Sequence, residues 1–286
     1  MQQVVIGLVL FRNDEEQLTR CLLGIASQTL AEQVILLAVH DNDMGSSLNS
    51  FRRAYKESGL QIPVIESSSE NCGFGAGHNQ LMKRVRTSIS TGFGYLCLNP
   101  DAVMHPVCLQ ELLSFAAKKN YQGIFEAKQF PLPHPKYYHP QLGITPWCSA
   151  CCLLIPETVY TRVNGFDEKF FLYCEDVDLS WRVKAAGYEC YTVNTALVHH
   201  YVVDRDPEDD SHRRFFMLVS GAILAEKWRG DAFKQQMINE LSNMFGFDID
   251  TLELGSIEKM SKFDIMRARP DFRHSFTFAR YHYTQC

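Results

Sequence analysis

Apolar residues along this chain fall into unbroken runs and helix-spaced stripes, and the two alternate. Val4–Phe11 (VVIGLVLF) is a continuous β-prone run, as a strand covered on both faces requires. Arg12-Asn13-Asp14 breaks it, and Leu18, Cys21, Leu22 and Ile25 then recur at helical spacing through Glu15–Ala26. Val34–Val39 (VILLAV) is a second buried run. A helix over about 47–58, a short strand at Ile62–Ile65 and a glycine-rich turn follow. Tyr95–Leu98 and Cys151–Ile155 read as further strands, Glu157–Arg162 as a short helix, and Tyr188–Val198 as a strand running into His199-His200. This alternation predicts an α/β fold with a mostly parallel sheet and helices on both faces. The Pro- and His-rich stretch over 125–147 predicts an irregular loop, with His134 and His139 turned to solvent. Past about residue 205 the character changes: Phe215–Lys227 and Phe233–Met244 carry helical periodicity. The expected division is an α/β domain over 1–205 and a C-terminal helical, basic-aromatic region over 206–286.

Composition narrows the function classes. With 286 residues the chain can bury a real core, and its net charge of −5 disfavours a general nucleic-acid binder, which needs a basic footprint. No secretory signal and no apolar run of spanning length is legible, so the expectation is a cytoplasmic protein. Ten cysteines are scattered through apolar runs. Cys148-x-x-Cys151 lacks a second pair or His at ligand spacing, so the thiols read as reduced core residues.

The polar residues that close each strand are where a parallel sheet binds its ligand. Here they are Asp41, the turn Asn71–Asn79 (NCGFGAGHN), and Asn99-Pro100-Asp101. The turn reads G-x-G-x-G, short of the dinucleotide fingerprint, and serves equally as a phosphate cradle or a tight structural turn. The stretch Gly165–Arg182 (GFDEKFFLYCEDVDLSWR) sets Asp167, Glu168, Glu175, Asp176 and Asp178 among aromatic residues. An apolar wall raises a carboxyl pKa, so one of these acids is a candidate general base, while Asp178 and Arg182 stand at ion-pair spacing.

Taken in order, DND at 41–43, NCGFGAGHN, LNPD at 98–101, the E-D-x-D segment and a strand ending in His-His resemble the family-two inverting glycosyltransferases of GT-A fold. The likeness is to their rhamnosyltransferase-like branch and covers roughly residues 4–202. It implies a nucleotide-sugar donor, dTDP-rhamnose or a UDP-sugar, and a glycan or lipid-linked glycan acceptor in bacterial surface polysaccharide synthesis. It implies Asp176 as the catalytic base. Donor contacts are implied at Asp41, Asn71, Gly75, Asn79, Asn99 and Asp101, and a Mn²⁺ or Mg²⁺ site at Asp101 with His200, His199 being the rival. Asn99 stands where the D-x-D metal motif usually has its first acid, and Tyr201-Val202-Val203 replace the small residues usual after the His. An inactive sugar-nucleotide or glycan-binding module, and an NAD-linked oxidoreductase, are the alternative readings. The tail over 259–286 mixes six bases with aromatics and is read either as packing, including a homo-oligomer contact, or as a peripheral contact at the inner membrane face.

Overall fold

In the computed structural model, residues 3–89, 92–201, 207–273 and 276–278 are described, the side chains of 207–210 excepted. The N-terminal part is built from β1 (Gln3–Leu10), α1 (Glu15–Ala26), β2 (Val34–Asp41), α2 (Ser46–Ser58) and β3 (Val64–Ser68). Next come α3 (Phe74–Ser88), β4 (Phe93–Leu98), β5 (Ala102–Met104), α4 (Cys108–Lys118), β6 (Gly123–Phe130), β7 (Cys152–Pro156) and α5 (Glu157–Arg162). Then follow α6 (Glu175–Ala185), β8 (Glu189–His200), α7 (Pro207–Lys227), α8 (Asp231–Phe245) and α9 (Lys262–Ala268). Some helix starts have a local cause in the sequence. At α1, for example, the Asp14 carboxylate accepts from the Gln17 N–H at 2.7 Å, and Glu15 and Glu16 sit at the positive end of the helix.

The strands form one eight-stranded mixed sheet in the order β3-β2-β1-β4-β7-β6-β8-β5. β3, β2, β1 and β4 run parallel, β7 is antiparallel to both its neighbours, and β5 pairs antiparallel with β8. The chain steps outward from β1 to β3 and then returns to place β4 on the other side of β1. That reversal opens a crevice beyond the carboxyl ends of β1 and β4.

One face of the sheet buries Leu18, Cys21, Leu22 and Ile25 of α1 with Phe51 of α2 and Leu109 and Leu112 of α4. The other face buries Leu81, Met82 and Val85 of α3, Val159 of α5, and Leu179 and Val183 of α6. A third cluster joins Val177, Trp181 and Ala185 of α6 to Leu218, Leu224 and Trp228, Phe233 and Met237, and Phe278. Helix α6 is therefore covered by the sheet on one side and by the C-terminal helices on the other. This is why it lacks a clean apolar stripe in its sequence. No helix among the described residues is long and apolar enough to cross a membrane.

One expectation is corrected here. The first part of the stretch read as a loop is a strand, β6, in register with β8. Its sequence GIFEAKQF hides the strand because Glu126 interrupts the apolar run, yet Glu126 is buried and paired inside the fold. The Asp204–Asp210 run and the bases and aromatics of the tail beyond Phe278 lie wholly or partly outside the described residues.

Candidate active site

The crevice collects the strand-end residues Asn99, Asp101 and His200. Asn99 and Asp101 follow directly on β4, and the Asn99 N–H is held by the Cys151 carbonyl at 2.8 Å. Pairing of β5 with β8 sets Ala102 opposite His200 and Val103 opposite His199. Strand alternation then turns the two histidines to opposite faces. His200 meets Asp101, with Nε2 at 3.2 Å from Oδ1, and lies 3.4 Å from the Asn99 Nδ2. His199 packs its ring edge-on to Phe130 at 5.1 Å instead. Of the two, the geometry brings His200 to Asp101.

The acidic stretch enters α6 through Tyr173 and Cys174, two successive non-glycine residues at φ +68° and +63°. Such backbone is costly and persists only where the surroundings enforce it. Here α7 holds it: the Ser220 hydroxyl donates to the Leu172 carbonyl at 2.7 Å, and the Phe216 ring lies 5.0 Å from that of Phe171. The turn delivers three acids in three electrostatic states. Asp178 is fully buried, which works against its charge, but Arg182 at 2.6 Å, Lys227 at 2.8 Å and the Trp228 indole N–H at 2.9 Å hold its pKa below the usual range. Glu175 is pushed well above the carboxylate range by burial and by neighbouring Asp176, and its Oε2 has no hydrogen-bond partner. Asp176 is half-buried and is raised to about 6 by desolvation, with Glu126 adding to the rise. The N–H groups of Ala150 (3.2 Å) and Val177 (2.8 Å) and the Lys136 ammonium pull it the other way. At pH 7 to 8 it is an ionised carboxylate close to its proton-accepting range, as a general base needs.

The segment Ser149-Ala150-Cys151 joins these groups. Cys151 holds Asn99, Ala150 holds Asp176, and the Ser149 N–H donates to Glu126 Oε2 at 2.5 Å. The Ser149 hydroxyl accepts from the Gln129 Nε2 at 2.9 Å, and the Gln129 Oε1 lies 3.0 Å from His200 Nδ1. Glu126 also receives the Lys136 ammonium and the Thr192 hydroxyl, and Lys136 in turn donates to the Trp147 carbonyl. Gln129, Ser149, Glu126 and Lys136 are invisible to sequence reasoning, because their partners stand 10 to 71 residues away. A charged pair interrupting apolar runs was the one available hint. His134, expected in solvent, has its ring edge-on to Trp147 at 4.9 Å. Burial, with the charges of Lys136 and His200, lowers its pKa to about 3.

Several expected donor residues also carry contacts within the fold. Gly73, at φ +89°, has the Phe171 carbonyl oxygen 2.2 Å from where a Cβ would stand, and that carbonyl accepts from the Phe74 N–H at 3.0 Å. The first N–H of α3 is thus met by the acidic stretch. Gly75 is a helical residue whose Cβ would stand 2.8 Å from that of Phe166. Asn79 spends both ends of its amide on the loop before α6: Nδ2 donates to the Phe166 carbonyl and Glu168, and Oδ1 accepts from the Tyr160 hydroxyl and the Phe166 N–H. The Asn71 Oδ1 accepts from the Gly73 N–H at 3.0 Å within the turn. Asp41 is fully buried, and its carboxylate accepts from the N–H groups of Asp43 and Ser47, both at 3.2 Å. These contacts share one cause: short polar side chains at strand ends are in demand to satisfy turn backbone.

Among the described residues no group of three or more His, Cys, Asp or Glu could hold a metal ion by itself. Asp101 and His200 nevertheless face one another, and beside them the Asn99 Oδ1 is buried without a partner. A carboxylate, an imidazole and an amide oxygen suit Mn²⁺, and a small protein donor set is usual where substrate phosphates complete the shell. The residues fit the ion.

The architecture is that of the GT-A fold. The mannosyltransferase PcManGT from Pyrobaculum calidifontis, in complex with GDP-Man and Mn²⁺, superposes with TM-score 0.60 at 13% identity over 77% of this chain and 62% of its own. S. aureus TarS superposes with TM-score 0.56 at 15% identity over 87% of this chain and 44% of its own. In sequence, rhamnosyltransferase WbbL of Escherichia coli is 38% identical over 135 residues, covering 37% of this chain and 51% of that protein. The N-acetylglucosaminyl-diphospho-decaprenol L-rhamnosyltransferase of Mycobacterium tuberculosis is 41% identical over 64 residues, 21% of each chain. No family model matches. The fold is that of the GT-A class, and stretches of the sequence are similar to rhamnosyltransferases; the chain matches only a fifth to a half of the length of these relatives.

Proposed function

We propose that this protein is a metal-dependent inverting glycosyltransferase. It moves a sugar from a nucleotide donor, dTDP-rhamnose or a UDP-sugar, to a hydroxyl of a growing bacterial surface glycan. The observation that carries the reading is the junction at 149–151, which holds a near-neutral carboxylate, Asp176, beside the Asn99–Asp101–His200 set. Asp176 accepts the acceptor hydroxyl proton as that oxygen forms its bond to the anomeric carbon. The bond from that carbon to the diphosphate oxygen breaks on the opposite side, and the nucleoside diphosphate leaves with the electron pair. One such displacement inverts the anomeric centre. A divalent cation, Mn²⁺ or Mg²⁺, held by Asp101 and His200 would neutralise charge on the departing diphosphate. Asp178 is ion-paired and anchors α6, and Glu175 is buried with its pKa raised, which leaves Asp176 as the acid of the motif suited to proton transfer.

The mycobacterial relative is named for an N-acetylglucosaminyl-diphospho-decaprenol acceptor, which supports a lipid-linked glycan, met at a membrane face, as acceptor here. The test is turnover of a panel of dTDP-, UDP- and GDP-sugars with Mn²⁺ or Mg²⁺, with NMR of the product linkage. The expected result is metal-dependent release of one nucleoside diphosphate and a product of inverted configuration. A retained configuration, or no turnover of any donor with any metal and a lipid-linked acceptor, would overturn the proposal.

A further inference from the structure

We infer that Gln129 is a positioning residue that fixes the tautomer of His200 and locks it to the segment carrying the base. The inference rests on the metal reading of Asp101 and His200 for its purpose, though not for its geometry. Gln129 is 8% exposed and lies near the end of β6, on the strand that pairs with β8. The pairing jumps from Ala127–Val193 to Lys128–Leu197, so β8 bulges by three residues between them. This bulge sets the register of Gln129 and His200, and it re-aims side chains as bulges near functional sites do. Both ends of the Gln129 amide are then engaged, Oε1 with His200 Nδ1 at 3.0 Å and Nε2 with the Ser149 hydroxyl at 2.9 Å.

An amide oxygen only accepts, so His200 must donate from Nδ1. Nε2, the nitrogen turned to Asp101 at 3.2 Å and to the amide of Asn99 at 3.4 Å, is then the one whose lone pair a cation bound beside Asp101 would take. That tautomer can coordinate a cation through Nε2; its alternative, with the proton on Nε2, cannot. The partner on the remote ring nitrogen commonly decides which nitrogen binds a metal, and its loss typically lowers metal affinity about 10–100-fold. Gln129 does a second thing that an isolated His partner would not. Through Ser149 it grips the residue before Ala150, whose N–H holds Asp176. One side chain thus keys the candidate metal ligand and the candidate base to the same three residues.

The experiment is ¹⁵N-histidine NMR of the metal-free protein together with Mn²⁺ binding by EPR, for the wild type, Gln129→Leu, Gln129→Glu and His200→Ala. The wild type should show His200 protonated at Nδ1. Gln129→Leu should mix the tautomers and weaken Mn²⁺ binding about 10–100-fold. Gln129→Glu, which still accepts from Nδ1, should keep the tautomer and the binding. A wild-type His200 without a proton on Nδ1, or a Gln129→Leu protein with tautomer and Mn²⁺ affinity unchanged, would overturn the inference. If Gln129→Leu does not fold, loss of the Nδ1–H tautomer in Gln129→Glu overturns it equally. Mn²⁺ binding unaffected in His200→Ala would instead sink the metal reading, while the tautomer result still judges the role of Gln129.

Discussion

Asp176 is held in a setting that favours chemistry over stability. Its pKa of about 6 lies above the ordinary aspartate value, so between about pH 4 and 6 the folded protein binds a proton that the unfolded chain has released. Stability from this residue therefore falls as pH rises through that window, by an amount on the order of 2 kcal/mol. Asp176→Asn should then raise the melting temperature at pH 8, with the gain shrinking towards pH 4, while turnover falls by about 10²-fold or more and donor binding survives. Paired thermal melts and rate assays across that range check this. For the wild type, kcat/KM should drop as pH falls below about 6, because the base is protonated there. A variant with near-normal turnover would remove Asp176 from the chemistry. The two histidines separate at the same scale. Asp101→Ala and His200→Ala should abolish the response of a chelated enzyme to added Mn²⁺, whereas His199→Ala should retain it, because His199 faces Phe130 rather than Asp101. The opposite ranking would reassign the ligand.

Helix α6 carries more of the molecule than its length suggests. Its first turn presents Asp176, its second faces both hydrophobic clusters, and Asp178 ties it to Arg182, Lys227 and Trp228. Arg182 further donates to the Val163 and Gly165 carbonyls at 2.6 and 2.8 Å, so the ion pair also fixes the loop leading into the acidic stretch. Removing one partner of a buried pair strands the other charges, typically at about 3–5 kcal/mol. Asp178→Ala should accordingly lower the urea midpoint by that equivalent. It should also cut activity indirectly, by loosening the turn at Tyr173 and Cys174. Unchanged stability would show the cluster to be exposed and screened. Sequence spacing announced the Asp178–Arg182 pair, which is local. Lys227 and Trp228, about 50 residues on, became visible only once α7 was laid across the loop.

Over the whole molecule, the C-terminal helices complete the core beneath the site. Phe278 is 2% exposed, and its ring lies 5.8 Å from that of Trp181, while Phe272 lies 5.2 Å from Trp181. Lys259 is paired with Glu226 and Arg273 with Asp271, which leaves the basic run less available than its sequence implies. Arg267 meets α6 at Gly187, past its C-terminal end, roughly 16 Å of helix away from Asp176. The packing alternative for the tail is the one these contacts support. Truncation after Lys259 should therefore destabilise the catalytic core: burying a Phe is worth about 2–3 kcal/mol. At about 2–4 °C per kcal/mol, loss of two should lower the melting temperature by roughly 10 °C. Truncation with an unchanged melting temperature, and loss only of salt-sensitive binding to anionic vesicles, would establish a membrane contact instead.

What the sequence by itself determined is what period and order encode. The buried runs and stripes specified β1, α1, β2, α2 and β4 because each element satisfies its own backbone and announces its buried face locally. Asp101 was legible as a strand-end residue opening on the crevice, while Asn99, Asp176 and His200 were singled out only by the order of motifs shared with a known family. Tertiary structure decided the rest. It made β6 a strand by burying Glu126 against Lys136, chose His200 over His199 through the register of β5 on β8, and drew Asp41, Asn71, Gly75 and Asn79 into turns and packing. It also sorted the three acids of one motif into three settings, Asp178 ion-paired, Glu175 buried with its pKa raised, and Asp176 raised to about 6. The physical reason is common to all of these. A side chain's charge and role depend on which distant groups desolvate or pair it, and those groups are set by register and packing rather than by neighbours in the chain.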